Sequence, residues 1–136
     1  MTMNEGETML KKLFAILGLS CIITVMLVAC GSGSNASAGP NPVHMNSTNF
    51  VQNSITIKKG ESMTLINDNL FVPHTIANGT WENGTAKPAR EVGAPEIKDV
   101  KIGGNSSATI GPFMTAGTFK LYCTVHAGMN LTVIVQ

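Results

Sequence analysis

The stretch "GTFKLYCTVHAGM", residues 117–129, lies close to the C-terminus and decides the fold. Its first half alternates between polar and apolar side chains, which is the period of a β-strand that buries one face. Its second half sets Cys123, His126 and Met129 at even intervals of three. Helical spacing would also bring these positions near one face, but the glycine before Met129 and the β-rich runs on both sides argue against a helix. The stretch therefore predicts a strand followed by a loop that carries three side chains able to bind a metal.

The same strand period continues through the rest of the chain. The segment "SITIKKGESMTLIND", residues 54–68, contains two alternating runs around a Lys-Gly-Glu turn, and "LTVIV", residues 131–135, closes the chain. Helical periodicity is absent outside the first thirty residues. Many short strands separated by Gly, Asn and Pro predict an all-β antiparallel sandwich or barrel. We expect residues 78–96 to form a long excursion loop from which Trp81 caps the core.

Cys123, His126 and Met129 offer a thiolate, an imidazole and a thioether. Taken singly, each has an ordinary structural explanation as a buried thiol, a surface histidine and a core methionine. A thiolate and two imidazoles in a trigonal plane, with a weak axial thioether, form a blue-copper electron-transfer site. The stretch supplies three of these four ligands, so the sequence predicts a copper site that lacks only its second imidazole.

The second imidazole is His74 or His44, because the chain has only three histidines. His74 is favoured because Pro73 stiffens the segment that leads to it and two apolar residues precede that proline. It lies 49 residues before Cys123, and closing a loop of that length costs about 3 kcal/mol beyond a constant. A rigid scaffold with neighbouring strand ends is therefore needed to hold the site. We predict His74 as the ligand and leave His44 as a non-ligand on the first strand.

The N-terminal segment has the pattern of a signal peptide. Lys11 and Lys12 precede the uncharged run "LFAILGLSCIITVMLVA", residues 13–29. As a helix this run would span about 25 Å, slightly short of a bilayer core of about 30 Å. Acidic residues ahead of the lysines do not suit a signal peptide, and translation from Met9 instead of Met1 would remove them. In either case the segment predicts export of the remainder of the chain.

The end of that segment, "LVAC", residues 27–30, resembles the bacterial lipobox. The resemblance implies cleavage before Cys30 and attachment of a lipid to its thiol. An uncleaved membrane anchor is the alternative, and Cys21 is a weaker candidate for the lipid. Lipidation would leave Cys123 as the single thiol of the folded part, so no intrachain disulfide is expected there.

The chain divides into three predicted parts. Residues 1–29 form a lipoprotein signal peptide and residues 30–42 a flexible tether rich in Gly, Ser, Asn and Pro. Residues 43–136 form the folded domain. Only 12% of the residues are charged and the formal net charge is +1. The chain has no basic stripe, so nucleic acid is not expected as a partner.

The C-terminal loop and the upstream "VPHTI" together resemble the cupredoxins of the plastocyanin and amicyanin group. In that family the first histidine follows a proline in a "PHN" sequence, which here is Pro73-His74-Thr75, and the last loop holds Cys, His and Met. The C-x2-H-x2-M spacing is the short amicyanin form. The resemblance covers roughly residues 43–136 and implies a Greek-key β-sandwich or barrel of seven to eight strands. It also implies one copper ion held by His74, Cys123 and His126, with Met129 as the axial ligand.

Two residues depart from the family pattern. Thr75 replaces the asparagine that usually braces the ligand loop, so we expect a brace through Thr124 or a weaker one. Val125 stands where proline is common, so a less stiff loop is expected. Neither change removes a ligand.

The resemblance implies a carrier of single electrons outside the cytoplasm whose copper alternates between Cu(I) and Cu(II). The alternative is a copper chaperone or buffer with the same ligands. An enzyme is not expected, since three histidines leave too few ligands for a further metal site. We expect a monomer anchored by its lipid to the outer face of the cell membrane or in the periplasm. Redox partners would dock briefly near His126, in an apolar patch with Phe71, Pro112 and Phe113.

Overall fold

The computed structural model describes residues 38–136, which contain nine β-strands and no helix. The strands are β1 (Pro42–Met45), β2 (Ser54–Ile57), β3 (Met63–Asn67), β4 (His74–Glu82), β5 (Thr85–Pro88), β6 (Val100–Ile102), β7 (Ser107–Ile110), β8 (Gly117–Cys123) and β9 (Asn130–Val135). The prediction of an all-β fold is confirmed, and the strand count within this part of the chain exceeds the predicted seven to eight.

The strands form two sheets that pack as a sandwich. One sheet has the order β1-β3-β7, and the other has the order β2-β9-β8-β4-β5, with β6 also paired to β4. Two pairs are parallel, β1 with β3 and β2 with β9, and the remaining pairs are antiparallel. Parallel neighbours cannot be joined by a tight hairpin turn, and here β2, in the second sheet, lies between β1 and β3 in the sequence, as expected of a Greek-key sandwich.

The core lies between the sheets and is built mainly from alternate strand residues, with Phe50, Ile97 and Phe113 added from the connecting segments. Its buried side chains are Val43, Met45, Phe50, Ile57, Met63, Leu65, Ile76, Ile97, Ile102, Ile110, Phe113, Phe119, Leu121, Cys123, Met129, Leu131, Val133 and Val135. Removing this apolar surface from water is the main stabilising contribution to the fold. Two of the site candidates, Cys123 and Met129, belong to this core and are therefore held by its packing.

The predicted excursion loop at residues 78–96 is wrong over its first half. Residues 74–88 form a β-hairpin, β4–β5, with Asn83 and Gly84 at the turn. Both turn residues have positive φ, 48° and 75°, which is the signature of the type I′ turn that Asn-Gly favours. The extra strand β5 comes from this hairpin. Residues 89–99 remain irregular.

The two ends of the sandwich are distinct. β3 runs towards the loop 68–73 and His74, whereas its first residue, Met63, pairs with Ile110 at the other end. The loop 111–116 belongs to that other end, because the Phe113 N–H donates to the Glu61 carbonyl. β8 then carries the chain over seven residues, from Gly117 back to Cys123. A strand of that length spans about 20 Å.

The N-terminal end of the described segment also lies at the end away from His74. Pro42, the first residue of β1, pairs in parallel with Thr64 near the start of β3. The side-chain amide of Asn41 donates to the Ser62 carbonyl at 2.8 Å and to Glu61 Oε2 at 3.2 Å. Asn41 falls within the predicted tether, residues 30–42, and contacts the start of β3 through its side chain.

The predicted signal peptide, Cys21, Cys30 and the tether up to residue 37 lie outside the described residues. Within residues 38–136, no helix is long and apolar enough to cross a membrane.

Candidate metal centre

Three donor atoms converge at the end of the sandwich where β4 begins and β8 ends. Cys123 Sγ lies 3.7 Å from His74 Nδ1 and 3.4 Å from His126 Nδ1, and the two imidazole nitrogens are 3.1 Å apart. Strand pairing creates this proximity, because β4 and β8 are antiparallel neighbours in which Ile76 pairs with Cys123. The structure thus brings together the thiol and the two imidazoles that the sequence singled out.

The spacing of the three donor atoms suits one shared cation. Metal–nitrogen bonds of about 2.0 Å and metal–sulfur bonds of about 2.3 Å in a trigonal plane place the donors about 3.5–3.7 Å apart. The observed separations of 3.1–3.7 Å are close to these values. The chemistry also fits, since a thiolate with two imidazoles suits copper. The residues therefore fit a copper ion at this position.

His74 is fixed in both ring orientation and tautomer. Its side chain is wholly buried, and Nε2 lies 2.9 Å from the carbonyl oxygen of Asn46. A carbonyl oxygen can only accept, so Nε2 carries the proton and Nδ1 keeps a lone pair that faces Cys123. Burial lowers the pKa of His74 below its ordinary 6.5; the Asn46 carbonyl opposes this shift and His126 adds to it. The neutral imidazole that a metal requires is thus the favoured form.

An asparagine network, which sequence reasoning missed, holds the loop that leads to His74. Asn67 is buried, and its side-chain amide donates to the carbonyls of Val72 at 2.7 Å and Gly103 at 2.9 Å. Asn69 Oδ1 accepts the backbone N–H groups of Phe71 and Val72, both at 2.9 Å. The signal was present in the sequence, because asparagine side chains commonly close turns of this kind.

The loop 124–129 carries the second imidazole and closes on itself through backbone hydrogen bonds. The Cys123 N–H donates to the Met129 carbonyl at 3.0 Å, and the Met129 N–H donates to the His126 carbonyl at 3.3 Å. Met129 is wholly buried, whereas His126 is half-buried. His126 is thus the most exposed of the three convergent side chains.

The expected brace between the two ligand segments runs through the backbone. The Thr124 N–H donates to the Thr75 carbonyl at 2.8 Å. A backbone bond of this kind does not depend on the side chain at position 75, so the replacement of asparagine by Thr75 leaves the two segments joined.

The sequence of the described domain matches one family throughout. The model of the family described as "Copper binding proteins, plastocyanin/azurin family" covers residues 39–136. The chain belongs to this plastocyanin/azurin family. Copper, as one ion, is accordingly its metal.

Individual relatives agree with this assignment. The plastocyanin of Ulva prolifera is 32% identical over 89 residues, which are 64% of this chain and 86% of that protein. The amicyanin structure from Paracoccus versutus (Thiobacillus versutus) superposes with a TM-score of 0.55 at 22% identity, covering 75% of this chain and 86% of that chain. A reduced amicyanin variant gives the same TM-score at 20% identity, covering 75% and 87%. The structural likeness supports the cupredoxin-like sandwich.

In this member of the plastocyanin/azurin family, His44 lies apart from the convergent donors. His44 Nδ1 contacts Asp68 Oδ2 at 2.9 Å, and both side chains are substantially exposed. Among residues 38–136, the side chains placed to share a metal ion are His74, Cys123 and His126.

The predicted apolar patch around His126 is wrong in two of its members. Phe113 is wholly buried in the core, where its ring lies 5.9 Å from that of Phe119. Pro112 precedes it in the loop 111–116, at the opposite end of β8 from Cys123. Phe71 is 85% exposed and Val125, next to His126, is 59% exposed. Exposed apolar surface near the site is therefore supplied by the two segments that carry the histidines.

Proposed function

We propose that this protein carries single electrons between redox partners outside the cytoplasm, as a mononuclear type 1 copper protein. We assign His74, Cys123 and His126 as the equatorial ligands and Met129 as the axial ligand. The observation that carries the proposal is the convergence of one thiol and two imidazoles within 4.8 Å of one another. This donor set, with a weak thioether, is that of blue-copper electron-transfer sites.

When bound, copper supplies a centre that takes up and releases one electron. The chain holds the donors for it in a fixed arrangement. Cys123 ends a core strand, His74 begins the neighbouring one, and His74 is held through Nε2 by Asn46. Ligands fixed in this way move little when the charge at their centre changes, and small movement favours fast electron exchange. The rigid donors thus favour a redox carrier.

We propose the edge of the His126 ring as the route by which electrons enter and leave. His126 is half-buried, and Val125, Ala127 and Gly128 around it are exposed. Phe71, on the segment that leads to His74, adds a large apolar side chain. An apolar surface with few charges suits brief docking of a protein redox partner, because little charge must be desolvated on contact.

The copper assignment is tested by loading the protein with copper and recording visible spectra of the wild type and of Cys123→Ser. We expect a strong thiolate-to-copper band in the wild type and its loss in the variant. Absence of this band from the wild type would contradict the proposed ligand set.

The role of His126 is tested separately by His126→Gly, which removes the exposed imidazole. We expect an altered copper spectrum and slower electron exchange with a small redox protein. An unchanged copper spectrum together with an unchanged rate of electron exchange would contradict the proposed electron route. Restoration of the spectrum by added imidazole would show that the loss concerns the missing ring and not the fold.

A copper chaperone or buffer with the same ligands is the alternative. Burial of His74 and Cys123 favours a resident ion, since transfer of copper to another protein would need access to these donors. Copper that stays bound through repeated oxidation and reduction, in the presence of a competing chelator, would support the carrier. Rapid loss to the chelator would favour the chaperone.

We also propose that residues 1–29 are a lipoprotein signal peptide and that Cys30 bears the lipid. Residues 30–42 would link this anchor to the copper domain, residues 43–136. The protein would then act as a monomer at the outer face of the cell membrane or in the periplasm. The proposal is supported by the lipobox-like "LVAC" and the tether composition.

A further inference from the structure

The backbone of Cys123 makes an incomplete strand pairing at the base of the ligand loop. Its N–H donates to the Met129 carbonyl at 3.0 Å, but the Met129 N–H donates to His126 and not back to Cys123. The Cys123 carbonyl instead accepts a hydrogen bond from the indole Nε1–H of Trp81 at 2.8 Å. A side chain 42 residues away thus takes the place of the missing backbone donor.

Trp81 is itself locked to the far end of the same loop. The Trp81 N–H donates to Asn130 Oδ1 at 2.7 Å, and the Asn130 side-chain amide donates to the Trp81 carbonyl at 3.0 Å. Asn130 directly follows Met129 in the chain. The Trp81 ring also packs edge-on against Tyr122, with centroids 6.0 Å apart. Trp81 and Asn130 together form a clamp across the two ends of the loop 124–129.

The clamp acts on the peptide group that positions the thiol. The peptide between Cys123 and Thr124 is planar, so fixing both of its ends fixes the rotation beyond the Cys123 Cα. Trp81 holds the oxygen of this peptide, and the Thr75 carbonyl holds its N–H at 2.8 Å. The N–H of Cys123 is held by Met129 on the other side. The direction of the Cys123 side chain is thereby set from both flanking peptides.

We propose that Trp81 is a positioning residue for Cys123, acting through its indole N–H on the Cys123 carbonyl, with Asn130 keeping it in place. This inference rests on the proposed role of Cys123 as a copper ligand. The competing explanation is that Trp81 merely covers Tyr122 and the sheet surface. The two explanations differ in whether the N–H group, as distinct from the ring, affects the metal site.

The test compares Trp81→Phe, which removes the indole N–H but keeps an aromatic ring, with Tyr122→Phe. The second variant keeps the aromatic contact and leaves the bond to Cys123 intact, so it is the matched control. Groups that orient a ligand typically contribute 10–100-fold to metal affinity. For Trp81→Phe we expect Cu(I) affinity to fall roughly 10-fold, with a shifted thiolate-to-copper band and reduction potential. Tyr122→Phe should leave all three near wild type.

Asn130→Ala provides a second test of the clamp. We expect it to change the spectrum in the same direction as Trp81→Phe, and the double variant to show less than the sum of both effects because the residues act together. Equal spectra, potentials and affinities for Trp81→Phe and Tyr122→Phe would overturn the proposal, as would strictly additive effects of Trp81→Phe and Asn130→Ala.

A measurement on the wild type tests the hydrogen bond on which the proposal depends, even where Trp81→Phe fails to fold. The chain has one tryptophan, so a single indole N–H resonance reports on the bond. We expect this proton to be protected from exchange with deuterium in the metal-free and Cu(I) proteins. Exchange at the rate of a free indole would overturn the clamp. A protected indole without a thiolate-to-copper band would instead contradict the proposed function alone.

Discussion

The two imidazoles of the site differ in how firmly the protein holds them. His74 is wholly buried and donates from Nε2 to the Asn46 carbonyl, whereas His126 is half-buried and lies on a loop with exposed small neighbours. A buried ring that is held through Nε2 suits the proposed role of His74 in keeping the metal in place. A ring with one exposed edge suits the proposed contact of His126 with a partner. The asymmetry therefore favours different roles for the two histidines.

If Met129 is the axial ligand, as we propose, its replacement should change the reduction potential of the site. The axial thioether and its apolar surroundings tune the potential of blue-copper sites. For Met129→Leu we expect copper to remain bound and the reduction potential to rise, because the oxidised ion loses a donor. For Met129→Gln we expect a lower potential, since an amide oxygen stabilises the oxidised ion better. Voltammetry measures both.

The stability of the metal-free Met129→Leu protein separates this effect from misfolding. A near-isosteric apolar replacement of a buried methionine costs less than about 1.5 kcal/mol. Met114→Leu is the control, because Met114 is 59% exposed and lies in the loop at the other end of β8. A potential that is the same in wild type, Met129→Leu and Met129→Gln would show that Met129 is not an axial ligand.

At the scale of the strand and loop, the sequence predicted the candidate metal-binding loop correctly but did not predict the neighbouring β4–β5 hairpin. Cys123, His126 and Met129 are close in the chain, so their spacing was visible locally. The two Asn-Gly pairs, at residues 78–79 and 83–84, look alike but differ in the fold: the first lies within β4 and the second forms the turn. The two pairs differ in their contacts with residues that are distant in the chain. A local sequence pattern does not reveal such contacts.

Asn78 and Gly79 show which distant contacts these are. Asn78 Oδ1 accepts the Ile97 N–H at 2.7 Å, and the Asn78 backbone N–H donates to the Ile97 carbonyl at 2.9 Å. Gly79 lies where β4 passes close to the ring of Tyr122. These contacts with Ile97 and Tyr122, about twenty or more residues away in the chain, keep residues 78–79 in an extended strand. Trp81 reaches the Cys123 carbonyl only because the strand continues through Gly79.

Gly79→Ala tests this close approach. At Gly79, φ is 132°, and an added Cβ would overlap the Lys87 carbonyl oxygen and lie 2.9 Å from a Tyr122 ring carbon. We expect the substitution to destabilise the protein by more than about 2 kcal/mol, from backbone strain and overpacking together. Urea unfolding of the metal-free wild type and variant measures this change in the free energy of unfolding.

Gly103→Ala is the matched control for Gly79→Ala, because it makes the same substitution where space is available. Its Cβ would meet only the Ser106 hydroxyl, at an ordinary 3.5 Å, so we expect a change within about 0.5 kcal/mol. Equal stabilities of the two variants would mean that Gly79 is not needed for the passage of β4 beside Tyr122.

For the molecule as a whole, part of the stability below pH 4.5 should depend on Glu61, at the end of the sandwich remote from the metal. The Lys58 backbone N–H and the Asn41 side-chain amide hold the pKa of Glu61 below its ordinary 4.5. The fold therefore favours the charged carboxylate. The resulting stabilisation is complete above pH 4.5 and is lost as the pH falls through the lower folded-state pKa.

Glu61→Gln should reduce the dependence of folding stability on pH in the acid range. We expect the variant to be less stable than wild type at pH 7 and to lose less stability on acidification below about pH 4.5. Thermal unfolding of the metal-free proteins at several pH values measures the difference. Glu82→Gln, at an exposed position on the β4–β5 hairpin, controls for the loss of one negative charge. Parallel profiles of wild type and Glu61→Gln would contradict the expectation.

The described segment begins at this same remote end, and the proposed anchor precedes it in the sequence, so we expect anchoring and copper binding to be separable. Pro42 and Asn41 lie beside the start of β3, whereas the convergent donors lie beyond its end. For the full chain expressed in a bacterium, we expect Cys30→Ser to abolish lipid labelling and membrane retention. Its copper spectrum should match that of the wild type, because Cys30 is far from His74 in the chain and contributes no ligand.

Cys21→Ser is the matched control for the anchor, since it removes the cysteine within the predicted signal peptide and leaves "LVAC" intact. We expect this variant to be labelled and retained like the wild type. Loss of the lipid in Cys21→Ser, with labelling kept in Cys30→Ser, would move the attachment site to Cys21. Membrane retention without lipid in both variants would instead indicate an uncleaved apolar segment. An uncleaved chain is heavier than a cleaved one, so a denaturing gel distinguishes the two.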